Sequence, residues 1–219
     1  MKSLNFIIPE EPTVRDHRYN KFVSIGQYES LPSFGIEVEL CTDSEEAYGL
    51  IKYGFVPTLE TDSDVKIEFK SPIIRNRVIL KEIYPILEHL RDKIVSTHIH
   101  VNVKGVRGQL RDNWDYYWFD ILDWMNHNTT KTSQIFGRVF NDWARCEADP
   151  ESRFSTFNIR TLYPTYEIRL AKFTSTYQFD RLISWSRSVG QVLLMLRSQN
   201  RDLVKTKLDD EFRKLVNKV

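Results

Sequence analysis

The sequence predicts an α+β protein built on a curved, largely antiparallel β-sheet, with helices packed on one face and a polar concave face on the other. Three observations predict it. Residues 33–40 alternate strictly, placing Phe34, Ile36, Val38 and Leu40 on one side and Glu37 and Glu39 on the other, which is the period of a half-buried strand. The same alternation returns at 65–71, 97–103 and 165–171, each time with carboxylates or imidazoles on the polar side. Between and after these stretches lie segments with apolar residues at helical spacing, whose apolar stripes need a sheet face to cover.

In chain order, residues 1–30 read as an N-terminal arm or edge element, with Phe22 to Ile25 as a strand candidate. Residues 31–219 read as one domain, with no linker dividing them. After the first strand, Thr42 to Glu46 signals the start of a short helix over 44–52, closed by Gly54. The acidic turn Glu60-Thr61-Asp62-Ser63-Asp64 leads into the second strand, where Ile67 and Phe69 alternate with Glu68 and Lys70. A helix over 76–94 follows, with Ile94 as its last apolar position and Pro85 expected to kink or restart it.

The third strand, 97–103, sets His98, His100 and Asn102 together opposite Ile99, Val101 and Val103. Residues 104–108 form a turn and lack the phosphate-loop pattern G-x-x-x-x-G-K-[ST]. At 112–127 a helix capped by Asp112 carries Trp114, Tyr117, Trp118, Ile121, Leu122 and Met125 at core spacing. Basic residues do not interleave with these aromatics, so the segment is core and not a base-stacking surface. A shorter helix over 132–143 precedes the acidic loop 147–151, strands at 155–161 and 165–171, a helix opened by the capping box at Ser175, and a last helix at 201–217.

Composition narrows the classes. Lys and Arg number 31 against 30 Asp and Glu, so no global field argues for nucleic acid. The longest internal apolar run, 192–196, is far below the roughly 20 residues of a membrane span. The N-terminus lacks the pattern of a secretory signal, and two distant cysteines, Cys41 and Cys146, suit unpaired thiols in a reducing compartment. The expectation is a cytoplasmic protein without a nucleic-acid or membrane partner.

The polar strand faces carry the chemistry. Side chains two apart on a strand stand roughly 6.5–7 Å apart at their roots, so Glu37 and Glu39 can address one cation or a pair. A solvated sheet face normally mixes Thr, Lys, Ser and Gln, whereas Glu37, Glu39, Glu68, His98, His100 and Glu167 are all metal-ligand types. Carboxylates with little sulfur select Mg²⁺ or Mn²⁺.

In order, F-G-I-E-V-E, E-x-D, I-E-F-K-S-P, T-H-I-H-V, R-F-S-T-F-N and Y-E-I-R-L resemble the amidoligase family of the carboxylate-amine ligase superfamily, which includes glutamine synthetase and glutamate–cysteine ligase. The likeness covers about 33–185. It implies a glutamine synthetase-like catalytic sheet, an ATP-dependent ligase forming an amide through an acyl phosphate, and two or more Mg²⁺ or Mn²⁺ ions. By position, Glu39, Glu60 and Glu68 would hold one ion and Glu37, His98 and Glu167 another. Arg169 would face the transferring phosphate or the substrate carboxylate, while Arg153 and Asn158 would bind nucleotide or acid. His100 and Asp62 would complete the substrate side. The implied substrates are a small-molecule or peptide carboxylate and an amine. Two departures stand out: Asp62-Ser63-Asp64 replaces the usual D-G-S, and Ser96-Thr97 stands where relatives carry glycine before the histidine pair. A guanidino kinase sharing the sheet, and a ligase-derived binding or structural protein without turnover, are the alternatives.

Overall fold

A computed structural model describes residues 31–59, 64–75, 77–142, 144–147, 149–150, 152, 154–159 and 164–218. The predicted arm at 1–30, with its strand candidate, lies outside them. Strand β1 (Phe34–Leu40) buries every second residue, Phe34, Ile36, Val38 and Leu40, and leaves Gly35, Glu37 and Glu39 half-buried on the other side. It pairs antiparallel with β3 (Ile67–Lys70) on one edge and with β4 (Ile94–Asn102) on the other. Outside β3 lies β2 (Val56–Leu59), and outside β4 lie β6 (Thr165–Ile168) and then β5 (Phe157–Asn158). The order is β2-β3-β1-β4-β6-β5, with every pairing antiparallel.

The sheet departs from the sequence reading at its margins. Strand β2 is unexpected because Pro57 sits in its middle. At the sheet edge, however, proline removes a donor that no neighbour needs. Ile94, read as the last turn of a helix, opens β4 and pairs with Leu40 across a bulge. Strand β5 is two residues long where 155–161 was expected, with 160–163 outside the described residues. Its neighbourhood is stitched instead by single bonds, Arg169 N donating to Thr156 O at 2.9 Å and Thr156 N to Arg145 O at 3.1 Å.

A 3-10 helix at Glu45–Tyr53 fills the predicted 44–52 slot and ends on Gly54, whose φ of 85° suits glycine. Helix α1 (Val78–Leu90) runs through Pro85 without a break. The lost hydrogen bond would have gone to the carbonyl of Lys81, and both Lys81 and Pro85 are exposed, so the loss falls on the solvent side of the helix. The turn after β4 continues into the short α2 (Arg107–Arg111). Helix α3 (Trp114–His127) starts after Asn113 in place of the expected Asp112, and α4 (Thr129–Phe136) stops at Gly137. Expected helical positions Val139 and Phe140 therefore lie beyond it, Val139 being exposed. Of the two C-terminal helices, α5 (Thr176–Leu194) starts at the predicted capping box and α6 (Arg201–Val216) matches its predicted span closely. Ser175 caps α5 by accepting from Gln178 N at 3.2 Å, and Glu88 of α1 accepts from Thr176 N at 2.7 Å.

Helix α5 lies on the apolar face of β4, close enough that a Cβ on Gly190 would stand 2.5 Å from Val101 Cγ1. Trp118 of α3 is fully buried and stacks on Phe157 with ring centroids 4.0 Å apart. Arg187 of α5 is also fully buried; it donates to Pro32 O at 2.9 Å and Leu31 O at 3.1 Å and lies over the Phe34 ring. That guanidinium fixes how the chain enters β1. Both cysteines are free thiols. Among the described residues no helix is long and apolar enough to cross a membrane.

Candidate metal and anion centre

Register turns five separate strands into one constellation. Glu39 lies across from Glu68 on one side and Ser96 on the other, and Glu37 across from Lys70 and His98. His100 pairs with Glu167, which pairs in turn with Asn158. Each of these residues has the same strand phase, so all project from the face opposite the helices.

His98 occupies the middle. Its Nδ1 edge lies 3.1 Å from Glu37 Oε2 and 3.4 Å from Glu167 Oε1. Its Nε2 edge lies 3.3 Å from Ser96 Oγ and 3.7 Å from Glu39 Oε1. His100 Nε2 sits 3.4 Å from Glu37 Oε1 and, among the described residues, is buried without a hydrogen-bond partner. Glu167 is held from two sides, accepting from Asn158 Nδ2 at 2.9 Å and from Arg169 Nη1 at 2.9 Å. Ser96 donates to Glu39, and Lys70 Nζ pairs with Glu68 at 2.8 Å.

Electrostatics pushes these groups apart. Burial, followed by the charge of Glu37, drives Glu68 up to about 9 despite Lys70. Burial also opposes ionisation of Glu37 and Glu167, but His100 with His98, and Arg169 in the case of Glu167, outweigh it and hold both low. His100 is likewise penalised by burial and raised on balance by Glu37 and Glu167. Glu68 thus shows the upward shift of a crowded carboxylate, while the imidazoles and Arg169 reverse it at Glu37 and Glu167.

Two sets of side chains can each offer one ligand atom within 4.8 Å of the others: Glu37, His98, His100 and Glu167; and Glu39, Glu68 and His98. This differs from the grouping read from the sequence in two respects. His98 faces both sets because its two nitrogens point to opposite carboxylates, and His100 joins the first set because its row crosses directly to Glu167. Of the other predicted site residues, Asn158 and Arg169 are brought to the same place, whereas Glu60, Asp62 and Arg153 lie outside the described residues.

Sequence reasoning missed two neighbours. Ser96 was read only as a replaced glycine, yet its hydroxyl orients Glu39. Arg138, in the loop after α4, feels the charges of both Glu39 and Arg169; a loop has no periodicity to reveal which way it faces. A separate open groove of about 580 Å³, lined among others by Asp115, Phe119, Leu122, Asp123 and Cys146, shares no residue with this centre. Comparison of the chain with protein-family models, with curated proteins and with solved structures gives no match.

Proposed function

We propose that this chain is an ATP-dependent carboxylate-amine ligase and that its six-stranded sheet is a glutamine synthetase-like catalytic sheet using Mg²⁺ or Mn²⁺. The observation that carries the reading is the convergence of Glu37, His98, His100 and Glu167, drawn from three strands, to within 4.8 Å of one another. The ordered motifs shared with amidoligases supply the reaction class.

The residues fit divalent ions. The donors are oxygen and nitrogen without sulfur, the set that suits Mg²⁺ and Mn²⁺. Among the described residues His100 Nε2 is a buried nitrogen with no hydrogen-bond partner, and Glu68 carries a strongly raised pKa that a cation would relieve. Glu37, His98, His100 and Glu167 would hold one ion, and Glu39 and Glu68, with His98 between the sets, a second. When bound, such ions neutralise phosphate charge and polarise phosphoryl oxygen.

The chain's own groups do the positioning. Glu167 is fixed by Asn158, and Glu167 in turn fixes the Arg169 guanidinium at 2.9 Å. Held in this way, Arg169 is a preorganised charge for the phosphoryl group in transfer. The substrate carboxylate oxygen attacks the terminal phosphorus of ATP, ADP leaves, and an amine displaces phosphate from the acyl carbon with loss of a proton.

The test is incubation with ATP, Mn²⁺ and panels of carboxylates and amines, reading ADP and amide by mass spectrometry. Amide formation that requires all components is the expected result. A phosphoguanidine product would reassign the chain to the guanidino kinases. Failure to bind either ATP or Mn²⁺ would reduce it to a binding or structural protein.

A further inference from the structure

We propose that Ser96 is a positioning residue: its hydroxyl caps the Nε2–H of His98, so that the ring meets a cation of the first ligand set through Nδ1. The proposal deepens the ligase reading and rests on it for the cation. The geometry begins at a bulge. Glu39 pairs with Ser96, but the next residue, Leu40, pairs with Ile94, so Val95 has no partner on β1. The extra residue shifts the alternation by one. Ile94 can then stay in the core while Ser96 turns to the concave face beside Glu39 and His98.

The hydrogen bonds fix where the proton of the ring sits. Ser96 and His98 are both buried, so their polar atoms answer to one another and to the carboxylates around them. A serine hydroxyl has one proton to give and two lone pairs with which to accept. Ser96 gives its proton to Glu39. Toward His98 Nε2, 3.3 Å away, it can then only accept, so Nε2 is the nitrogen that carries hydrogen. Which nitrogen of a histidine meets a metal is decided by the bond that the other one makes.

Nδ1, on the other edge of the ring, lies 3.1 Å from Glu37 Oε2 and 3.4 Å from Glu167 Oε1. These two carboxylates, with His100, complete the first set. A lone pair aimed at two carboxylates is unfavourable until a cation lies between the three groups. The run from Nε2–H through the Ser96 hydroxyl to Glu39 is the kind of outer support that orients metal-bound histidines. It also ties the ring that serves the first set to a carboxylate of the second. Without the hydroxyl, Nε2–H would face Glu39 Oε1 at 3.7 Å, beyond hydrogen-bond reach.

Two probes test this. Mn²⁺ is titrated calorimetrically into the wild-type chain, Ser96→Ala and Ser96→Thr, and Mg²⁺ is added to the isotope-labelled wild-type chain for nitrogen NMR of its imidazoles. In the Mg²⁺-loaded chain His98 should carry a proton on Nε2 and none on Nδ1. Mn²⁺ affinity should fall about tenfold in Ser96→Ala, whereas Ser96→Thr, which keeps a hydroxyl, should stay nearer to wild type. A proton on Nδ1 in the Mg²⁺-loaded chain would overturn the proposal and give His98 to the second set. Mn²⁺ bound equally by wild type and Ser96→Ala would also overturn it, leaving the ligase reading intact and Ser96 as a brace for Glu39. A wild-type chain that binds neither ion would overturn the ligase reading and the proposal together. The NMR measurement needs no variant, so it decides the matter even if the alanine variant does not fold.

Discussion

The two faces of β1 differ in kind although they are made by alternate residues of one strand. On one face Phe34, Ile36, Val38 and Leu40 are buried against helices and against one another. On the other, Glu37 and Glu39 face His98, His100, Glu68 and Glu167, of which His98, Glu68 and Glu167 are themselves buried. Apolar side chains of similar volume would fill that second face at lower electrostatic cost. Packing therefore accounts for the first face, whereas the second carries an electrostatic cost that packing alone does not repay.

The largest expected effect lies on the apolar side. Trp118 stacks on Phe157 and lies in a cluster that extends to Tyr166. Trp118→Ala should lower stability by about 3–5 kcal/mol, as buried aromatic truncations do, measured by urea unfolding. Wild-type stability with impaired ligand binding would move α3 from the packing face to the binding face.

Gly190→Ala probes the same face more gently. Alanine improves helix propensity by about 1 kcal/mol, but its methyl would stand 2.5 Å from Val101 Cγ1, and overpacking costs about 1–3 kcal/mol. Val101 is β-branched and stiff, so the clash should win and the variant should melt earlier. A higher melting temperature would mean that α5 slides freely over β4.

On the polar side the metal-free protein should show a pH dependence set by its crowded charges. Glu68 is raised from 4.5 to about 9. Across that window the native state keeps a proton that the unfolded chain has lost, so stability falls as pH rises. His100, raised from 6.5, acts in the same direction: its contribution is complete below 6.5 and disappears as pH climbs through its folded value. Glu37 and Glu167, held below 4.5, contribute above 4.5 and lose that contribution as pH falls through their folded values. Melting temperature should thus be lower at pH 9 than at pH 6, and Glu68→Gln should remove part of that decline. An unchanged slope in the variant would place the burden on another group.

The contrast between faces was legible in the sequence because a strand's period of two survives any arrangement of neighbours. It placed Glu37, Glu39, Glu68, His98, His100 and Glu167 on polar faces without knowing which strands touch. Which nitrogen of His98 meets which carboxylate depends on register, and register is a property of pairs of strands. Ile94 misled because its spacing suits a helix and a strand equally, and β2 was hidden by a proline that only an edge position tolerates. The apolar spacing of Ile135, Phe136, Val139 and Phe140 continued past α4, where the backbone turn at Gly137 overrides it.

The most direct test of the central claim is a pair of thermal melts of Glu37→Gln, with and without Mn²⁺. The substitution keeps the side-chain shape and removes a charge that faces Glu68 and adjoins two imidazoles. If the polar face exists to hold cations, relief of the repulsion with Glu68 should offset much of the lost pairing with His98 and His100, and the metal-free variant should melt within a few degrees of wild type. The Mn²⁺-induced rise should shrink, because stabilisation by a ligand follows its affinity for the folded state. A variant that melts early without metal, yet shows the full wild-type rise with it, would make Glu37 a structural partner of the histidines and contradict the account.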